Sequence, residues 1–141
     1  MNKSPLLFFL LCILFTACTT NSNAKIEVTA LTKTTKSWND TPLPTYPDGT
    51  PEVTILKIVI PPKTKLNWHK HPVINAGVLL KGALTVISKA NDTLHLKAGE
   101  PIVEIVNAWH YGENKGTEPA EIIVFYAGVE KKPITILETT H

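Results

Sequence analysis

The feature that most constrains the fold is a series of short apolar segments separated by turn residues. The segment at residues 53–60 alternates in polarity and is rich in β-branched side chains. Similar segments follow at residues 66–71, 76–80, 84–88, 93–97, 101–106, 120–126 and 134–137. A period of two places successive side chains on opposite faces and predicts strands, and no helical period of 3.6 follows the first 17 residues. The sequence therefore predicts an all-β domain at residues 52–141, built as a double-sheet sandwich or jelly-roll barrel.

Residues 18–51 are predicted to precede this domain as a tether and an arm. Residues 19–24 are a polar tether, and residues 26–31 predict a first strand. Residues 38–51 hold four prolines and a glycine, which exclude a helix and predict an extended arm.

The N-terminus has the features of a bacterial lipoprotein signal. Lys3 precedes an apolar segment at residues 6–15, and small residues then lead to Cys18. The apolar segment is shorter than the roughly 20 residues that span a bilayer. We therefore predict a signal peptide at residues 1–17, lipidation of Cys18, and localisation to the bacterial cell envelope, at the outer membrane or on the periplasmic side. The alternative is an ordinary secretory signal that is cleaved near Ala24.

The charged residues limit the partners that the chain is expected to bind. All 14 basic residues are Lys, there are 12 acidic residues, and the net charge is +2. Nucleic-acid binding normally needs clustered Lys and Arg, and Arg is also the side chain that clamps phosphates and carboxylates with two hydrogen bonds. The composition therefore argues against a nucleic-acid partner and favours a small, neutral or weakly anionic molecule.

Three histidines are the candidate chemistry of the chain. His69 and His71 are two residues apart in a predicted strand, so their imidazoles point to the same face. His110 follows Gly99 by eleven positions. A His-x-His pair or a lone histidine is common in proteins without a metal, but this combination and spacing predicts a divalent metal site.

The spacing resembles two sequence motifs of the cupin superfamily. The first motif is matched by His69, His71 and Gly82, and the second by Gly99, His110 and Asn114. At four motif positions where the family has Gly, Glu, Pro and Gly, this chain has Lys63, Asn75, Ile105 and Asn107. The resemblance extends over residues 52–128 and implies a small, single-domain cupin with the double-stranded β-helix fold.

The resemblance also implies a metal site that lacks its usual acid. Many cupins hold an ion with three His and one Glu, whereas Asn75 is neutral and a poor donor, although it is still expected to line the site. A three-His site resembles that of cysteine dioxygenase and favours anionic co-ligands. Three imidazoles suit Fe, Mn, Zn, Ni or Cu, and the order of affinities does not choose among them. The alternative is that the site has lost its ion.

Three other side chains carry predictions. Glu104 is the candidate catalytic residue, because a side chain directed into the barrel would supply the carboxylate that position 75 lacks. The alternative is an exposed Glu104 on a strand whose other face is packed. His95 is predicted to face outward. Trp68 should also face outward and needs cover, either from the N-terminal arm or from a second copy in a homodimer.

Two functions follow from these features. The first is an envelope-anchored metal-binding cupin that acts on a small molecule, as a dioxygenase-like oxidoreductase or an isomerase. The second is a non-enzymatic cupin module that binds a small ligand or a metal ion. The sequence leaves the choice between an enzyme and a binding module open.

Overall fold

The computed structural model describes residues 25–139, which form ten strands in two sheets and no helix. The strands are β1 (Pro51–Ile60), β2 (Thr64–Lys65), β3 (His69–Lys70), β4 (Ile74–Lys81), β5 (Ala83–Ser88), β6 (Thr93–Lys97), β7 (Pro101–Val103), β8 (His110–Asn114), β9 (Ala120–Val129) and β10 (Ile136–Leu137). None of the described residues belongs to a helix long and apolar enough to cross a membrane. The predicted signal peptide and Cys18 lie outside the described residues.

The first sheet has the strand order β1-β9-β4-β7 and contains the longest strands. β1 and β9 pair antiparallel over ten positions, from Pro51 opposite Val129 to Ile60 opposite Ala120. Alternate side chains of β9 are buried, namely Ala120, Ile122, Val124 and Tyr126. This alternation is the period of two that the sequence predicts.

The second sheet has the order β10-β3-β8-β5-β6, and β2 also pairs with β8. β5 and β6 form a hairpin whose turn contains Asn91 with a φ of 68°. β3 is two residues long and pairs with β8 at one position only, His69 opposite His110. This edge of the sheet therefore has few backbone hydrogen bonds.

The core lies between the two sheets. Its buried side chains come from both, including Leu79 and Ile102 from the first sheet and Leu84, Val86 and Leu96 from the second. Full burial of a side chain of this size contributes about 1.5–3 kcal/mol. The all-β double-sheet prediction is confirmed.

Asn114 fastens two turns at one end of the barrel. Its side chain is fully buried, and Nδ2 donates to the carbonyl oxygens of Ile60, Pro61 and Glu118 at 2.8–3.1 Å. Oδ1 accepts a hydrogen bond from the Gly116 N–H at 2.9 Å. The turn after β1 is thereby joined to the turn after β8.

The structure corrects several predicted boundaries. Residues 26–31 do not form a strand, and Ile26 and Val28 are 94% and 89% exposed. A strand needs a neighbour for its backbone groups, and within the described chain this segment pairs with none. The predicted strands at 66–71 and 101–106 shorten to β3 and β7, because the chain leaves the sheets at those ends.

The N-terminal arm and Trp68 lie in different places. The backbone N–H of Trp38 donates to the Val103 carbonyl at 2.9 Å, which holds the arm along β7. Trp68 packs edge-on against Tyr111, with ring centroids 4.6 Å apart, and its carbonyl accepts from the Glu138 N–H. Residues of the C-terminal half therefore contribute to the cover of Trp68, and the homodimer stays a prediction.

Candidate metal centre

The three predicted histidines lie together inside the barrel. His69 begins β3, His71 follows that strand, and His110 begins β8 directly opposite His69. The ring centroids are 5.0, 4.6 and 5.1 Å apart, and one nitrogen from each ring lies within 4.8 Å of the other two. This is a nearly equilateral triangle of imidazoles.

The protonation of each ring is fixed by a backbone carbonyl. Nδ1 of each histidine lies 2.8–2.9 Å from a carbonyl oxygen, and these belong in order to Asn67, Ile134 and Ala108. A carbonyl only accepts, so Nδ1 carries the proton and Nε2 keeps its lone pair. The same outer hydrogen bond orients histidines that ligate metals. The donor set therefore fits a divalent ion.

Burial keeps the three rings neutral. It lowers the pKa of His71 to about 4, and it also lowers the pKa of His69 and His110. The cause is desolvation, which disfavours the charged imidazolium. All three rings can thus act as neutral donors at neutral pH.

Glu104 points toward the same triangle. Its Oε2 lies 3.5 Å from His110 Nε2, and its side chain is 13% exposed. Burial raises the pKa of Glu104 to about 7, although His69 and Trp38 oppose the rise. Of the two predicted alternatives for Glu104, an interior and an exposed side chain, the structure shows the interior one.

Asn75 is buried on the inner face of β4. It is 1% exposed, and its Nδ2 donates to the Val73 carbonyl at 3.4 Å. Among the described residues, the lining of the cavity beside the histidines includes Glu104 but not Asn75. Asn75 and Glu104 are neighbours, because the Glu104 N–H donates to the Asn75 carbonyl at 3.1 Å.

Several polar atoms at this end of the barrel are buried without a partner. Within the described residues, they include Trp38 Nε1, Asn75 Oδ1, Glu104 Oε2 and His110 Nε2. Buried polar atoms are normally paired, and each unpaired one destabilises the fold. A lone pair on nitrogen that faces a carboxyl oxygen is the arrangement expected at a cation site.

A cavity of about 340 Å³ adjoins the histidines. Apolar side chains from both sheets form most of its wall, among them Leu56, Ile58, Leu66, Leu84, Val86 and Val124. Tyr126 and Thr135 also line it and were not predicted from the sequence. The alternation along residues 120–126 was the available signal for Tyr126. Burial, followed by the charge of Glu104, raises the pKa of Tyr126 to about 12.

His95 lies outside this site. It is exposed on β6, and its Nδ1 is 3.1 Å from the Thr85 hydroxyl. The prediction that His95 faces outward is confirmed.

The comparison with known proteins agrees with this architecture. The family model of the cupin domain matches residues 56–126, which is half of the chain. The chain belongs to the cupin family. Curated proteins give no match to this cupin.

Solved structures show the same fold in proteins of distant sequence. An uncharacterized protein with a double-stranded β-helix domain from Klebsiella pneumoniae is 17% identical, with a TM-score of 0.55 over 82% of this cupin and 100% of that chain. Oxalate oxidase in complex with glycolate is 24% identical, with a TM-score of 0.53 over 60% and 45% of the two chains. The DMSP lyase from Ruegeria pomeroyi DSS-3 is 15% identical, with a TM-score of 0.54 over 60% and 42%. This cupin thus spans less than half of the oxalate oxidase and the DMSP lyase.

Two departures from the cupin motifs have a backbone conformation typical of glycine. Lys63 and Asn107 stand at glycine positions of the motifs, and both have a positive φ, of 56° and 59°. This region is open to glycine and is unfavourable for most other residues. These two turns therefore have a backbone conformation that glycine adopts easily.

Proposed function

We propose that this cupin binds one divalent metal ion through His69, His71 and His110. The observation that supports it best is the hydrogen bonding of all three Nδ1 atoms to carbonyls, which leaves the Nε2 lone pairs of three neighbouring rings available to donate. Bound there, the ion supplies a Lewis acid with open coordination positions. Neutral imidazoles suit Fe, Mn, Zn, Ni or Cu.

The adjoining cavity is proposed to hold a small molecule with a mostly apolar body. Its volume of about 340 Å³ is at the small end of the range for ligand sites, roughly 300–1,000 Å³. Polar groups are concentrated at the histidine end, where the neutral Tyr126 hydroxyl can donate a hydrogen bond. The chain has no Arg to hold a strongly anionic ligand. A polar head group near the histidines and an apolar body along the wall would match the cavity.

An enzyme, either a dioxygenase-like oxidoreductase or an isomerase, is the first candidate for what happens to that molecule. Tyr126 and Glu104 are the groups of the chain that could hold or move a proton beside the histidines. The second candidate is a module that binds the ligand or ion without turnover. It is favoured by the mostly apolar cavity wall.

The metal proposal is tested by elemental analysis of protein purified without added metal, followed by titration with each of the five ions. We expect one ion per chain. His110→Ala should abolish stoichiometric binding because it removes one of the three donors. His95→Ala removes an exterior histidine and should bind as the wild type does. A folded wild-type protein that binds none of the ions would refute the proposal.

Activity separates the two candidates once a ligand is found. Turnover that follows metal occupancy, and that is lost in His110→Ala, identifies an enzyme. Ligand binding that survives metal removal, with no turnover of the loaded protein, identifies a binding module.

We further propose that a lipid on Cys18 holds the domain at the bacterial cell envelope. The support is the sequence pattern of residues 1–18. Metabolic labelling with a fatty-acid probe should label the wild type and Cys12→Ser but not Cys18→Ser. An unlabelled wild type, or label that persists in Cys18→Ser, would contradict the anchor.

A further inference from the structure

We propose that Glu104 is the fourth ligand of the metal site and takes the place of the acid that cupins carry at position 75. This inference rests on the proposed metal site. It assigns to a neighbouring strand the carboxylate that Asn75 cannot provide.

The sheet register brings the two positions together. β4 and β7 pair at Ala76 opposite Val103, and Glu104 is the next residue beyond that pair. Its N–H donates to the Asn75 carbonyl, so Glu104 is the cross-strand neighbour of Asn75. Directly opposed residues of an antiparallel pair project from the same face. A carboxylate at 104 therefore enters the barrel beside a side chain at 75.

The contact between Glu104 and His110 is compatible with a cation bound between the two side chains. Glu104 Oε2 and His110 Nε2 are 3.5 Å apart, and both are buried without a hydrogen bond. His110 donates through Nδ1 to the Ala108 carbonyl, so its Nε2 presents a lone pair. Two electron-rich atoms at this distance are unfavourable in a buried site unless a cation lies between them or the carboxyl is protonated. Among the described residues, the ligand atoms that lie within 4.8 Å of one another are those of the three histidines, so the Glu104 carboxylate would move toward an ion that they hold.

The surroundings of Asn75 and Glu104 agree with a carboxylate ligand at position 104 in place of position 75. Asn75 is committed to the Val73 carbonyl, whereas Glu104 lines the cavity. Trp38, from the N-terminal arm, lies beside the Glu104 carboxyl and favours its charged form. With Glu104 on the ion, Tyr126 is left as the proton-carrying group that faces a ligand.

The test compares metal binding by the wild type, Glu104→Gln and Glu121→Gln, with Zn²⁺ for affinity and Co²⁺ for its visible spectrum. Glu104→Gln keeps the size of the side chain and should weaken Zn²⁺ binding at least about tenfold, with a changed Co²⁺ spectrum. Glu121→Gln removes a carboxylate that pairs with Lys57 on the outside of the sheet, and should leave both readouts unchanged. The double variant Asn75→Glu with Glu104→Gln returns the carboxylate to the family position and should recover part of the affinity.

The outcomes distinguish this inference from the proposed function. A folded wild type that binds no ion overturns both. Equal affinity and equal spectra for the wild type and Glu104→Gln overturn only the role of Glu104. The infrared difference spectrum of the wild type with and without Zn²⁺ is an independent readout, and it should show a carboxyl or carboxylate band that shifts on metal binding and is missing in Glu104→Gln. An unchanged carboxyl band in that spectrum would also overturn the role.

Discussion

At the scale of single residues, burial shifts the pKa values of the histidines and of the Glu104 carboxyl in opposite directions. Removal from water disfavours charge, so burial lowers the pKa of the three imidazoles and raises the pKa of Glu104. The metal-free site therefore carries little charge in slightly acidic solution. It can be built inside an apolar barrel without an ion pair, and its charge develops when an ion enters.

The metal-free protein should show this in the pH dependence of its stability. The pKa of Glu104 rises from 4.5 in the unfolded chain to about 7 in the fold, so the native state binds more protons between those values. Glu104 thus stabilises the fold below about pH 4.5, and this contribution is lost as the pH rises through 7. Relative to Glu104→Gln, the wild type should lose up to about 3 kcal/mol between pH 4.5 and 7, at about 1.4 kcal/mol per unit.

Urea unfolding of both proteins across this range, without metal, measures the difference. The histidine contributions have the opposite sign, but they are common to both proteins and largely cancel. A difference in the free energy of unfolding that stays constant with pH would show that Glu104 is not buried as described.

The sequence predicted the three histidines but not their whole surroundings. The His-x-His pair and the motif spacing of His110 can both be recognised from the sequence alone. The alternation of side chains along a strand is enough to place the two histidines of the pair on one face. Trp38 and Thr135 come from the arm and the C-terminal segment, which lie beside the site only in the tertiary fold. Their positions depend on contacts between distant segments, and no local pattern encodes those contacts.

At the scale of elements, the turns are as constrained as the strands. Gly82, between β4 and β5, has a φ of 76°, and a Cβ there would lie 2.8 Å from the Pro119 carbonyl oxygen. Gly99 has a φ of 90°, and a Cβ there would meet no other atom within 4 Å. The first glycine is required by both conformation and space, and the second by conformation alone.

Alanine at the two positions should therefore have unequal effects. Gly99→Ala should lose about 1–2 kcal/mol, the cost of a side chain in the left-handed region. Gly82→Ala should lose more, because the Pro119 backbone must also move. The midpoints of urea unfolding for both variants and the wild type give the comparison. Equal losses would mean that the turn before β5 has room for a side chain.

The sequence predicted strands well where a strand is long and apolar. β1, β5 and β9 coincide closely with the segments predicted at residues 53–60, 84–88 and 120–126. β8 was not predicted, because its sequence is polar and contains Gly112, and it is a strand because β5 and β3 pair with it. The reverse holds for residues 26–31, which have strand-forming side chains but no strand beside them.

At the scale of the whole molecule, stability is distributed unevenly between the two sheets. β1 and β9 pair over ten positions, whereas the β10–β3 edge is held by two short strands. His69 and His71 belong to this weak edge, and His110 belongs to β8 in the middle of the same sheet. An ion bound by all three would cross-link the edge to the sheet.

Metal binding should therefore protect one edge of the second sheet and not the other. The Glu138 amide, which donates to the Trp68 carbonyl beside β3, should exchange readily with solvent in the metal-free protein. At a free ion concentration of 100 times Kd, binding contributes about 2.7 kcal/mol, so exchange through openings that release the ion should slow about a hundredfold. β6 lies at the opposite edge of the sheet. Its amides should keep their exchange rates where they exchange through local openings that leave the metal site intact. Hydrogen exchange followed by NMR measures these rates with and without the ion. His110→Ala, which should not bind the ion, is the control. Equal slowing at both edges would mean that the ion does not act as a local cross-link.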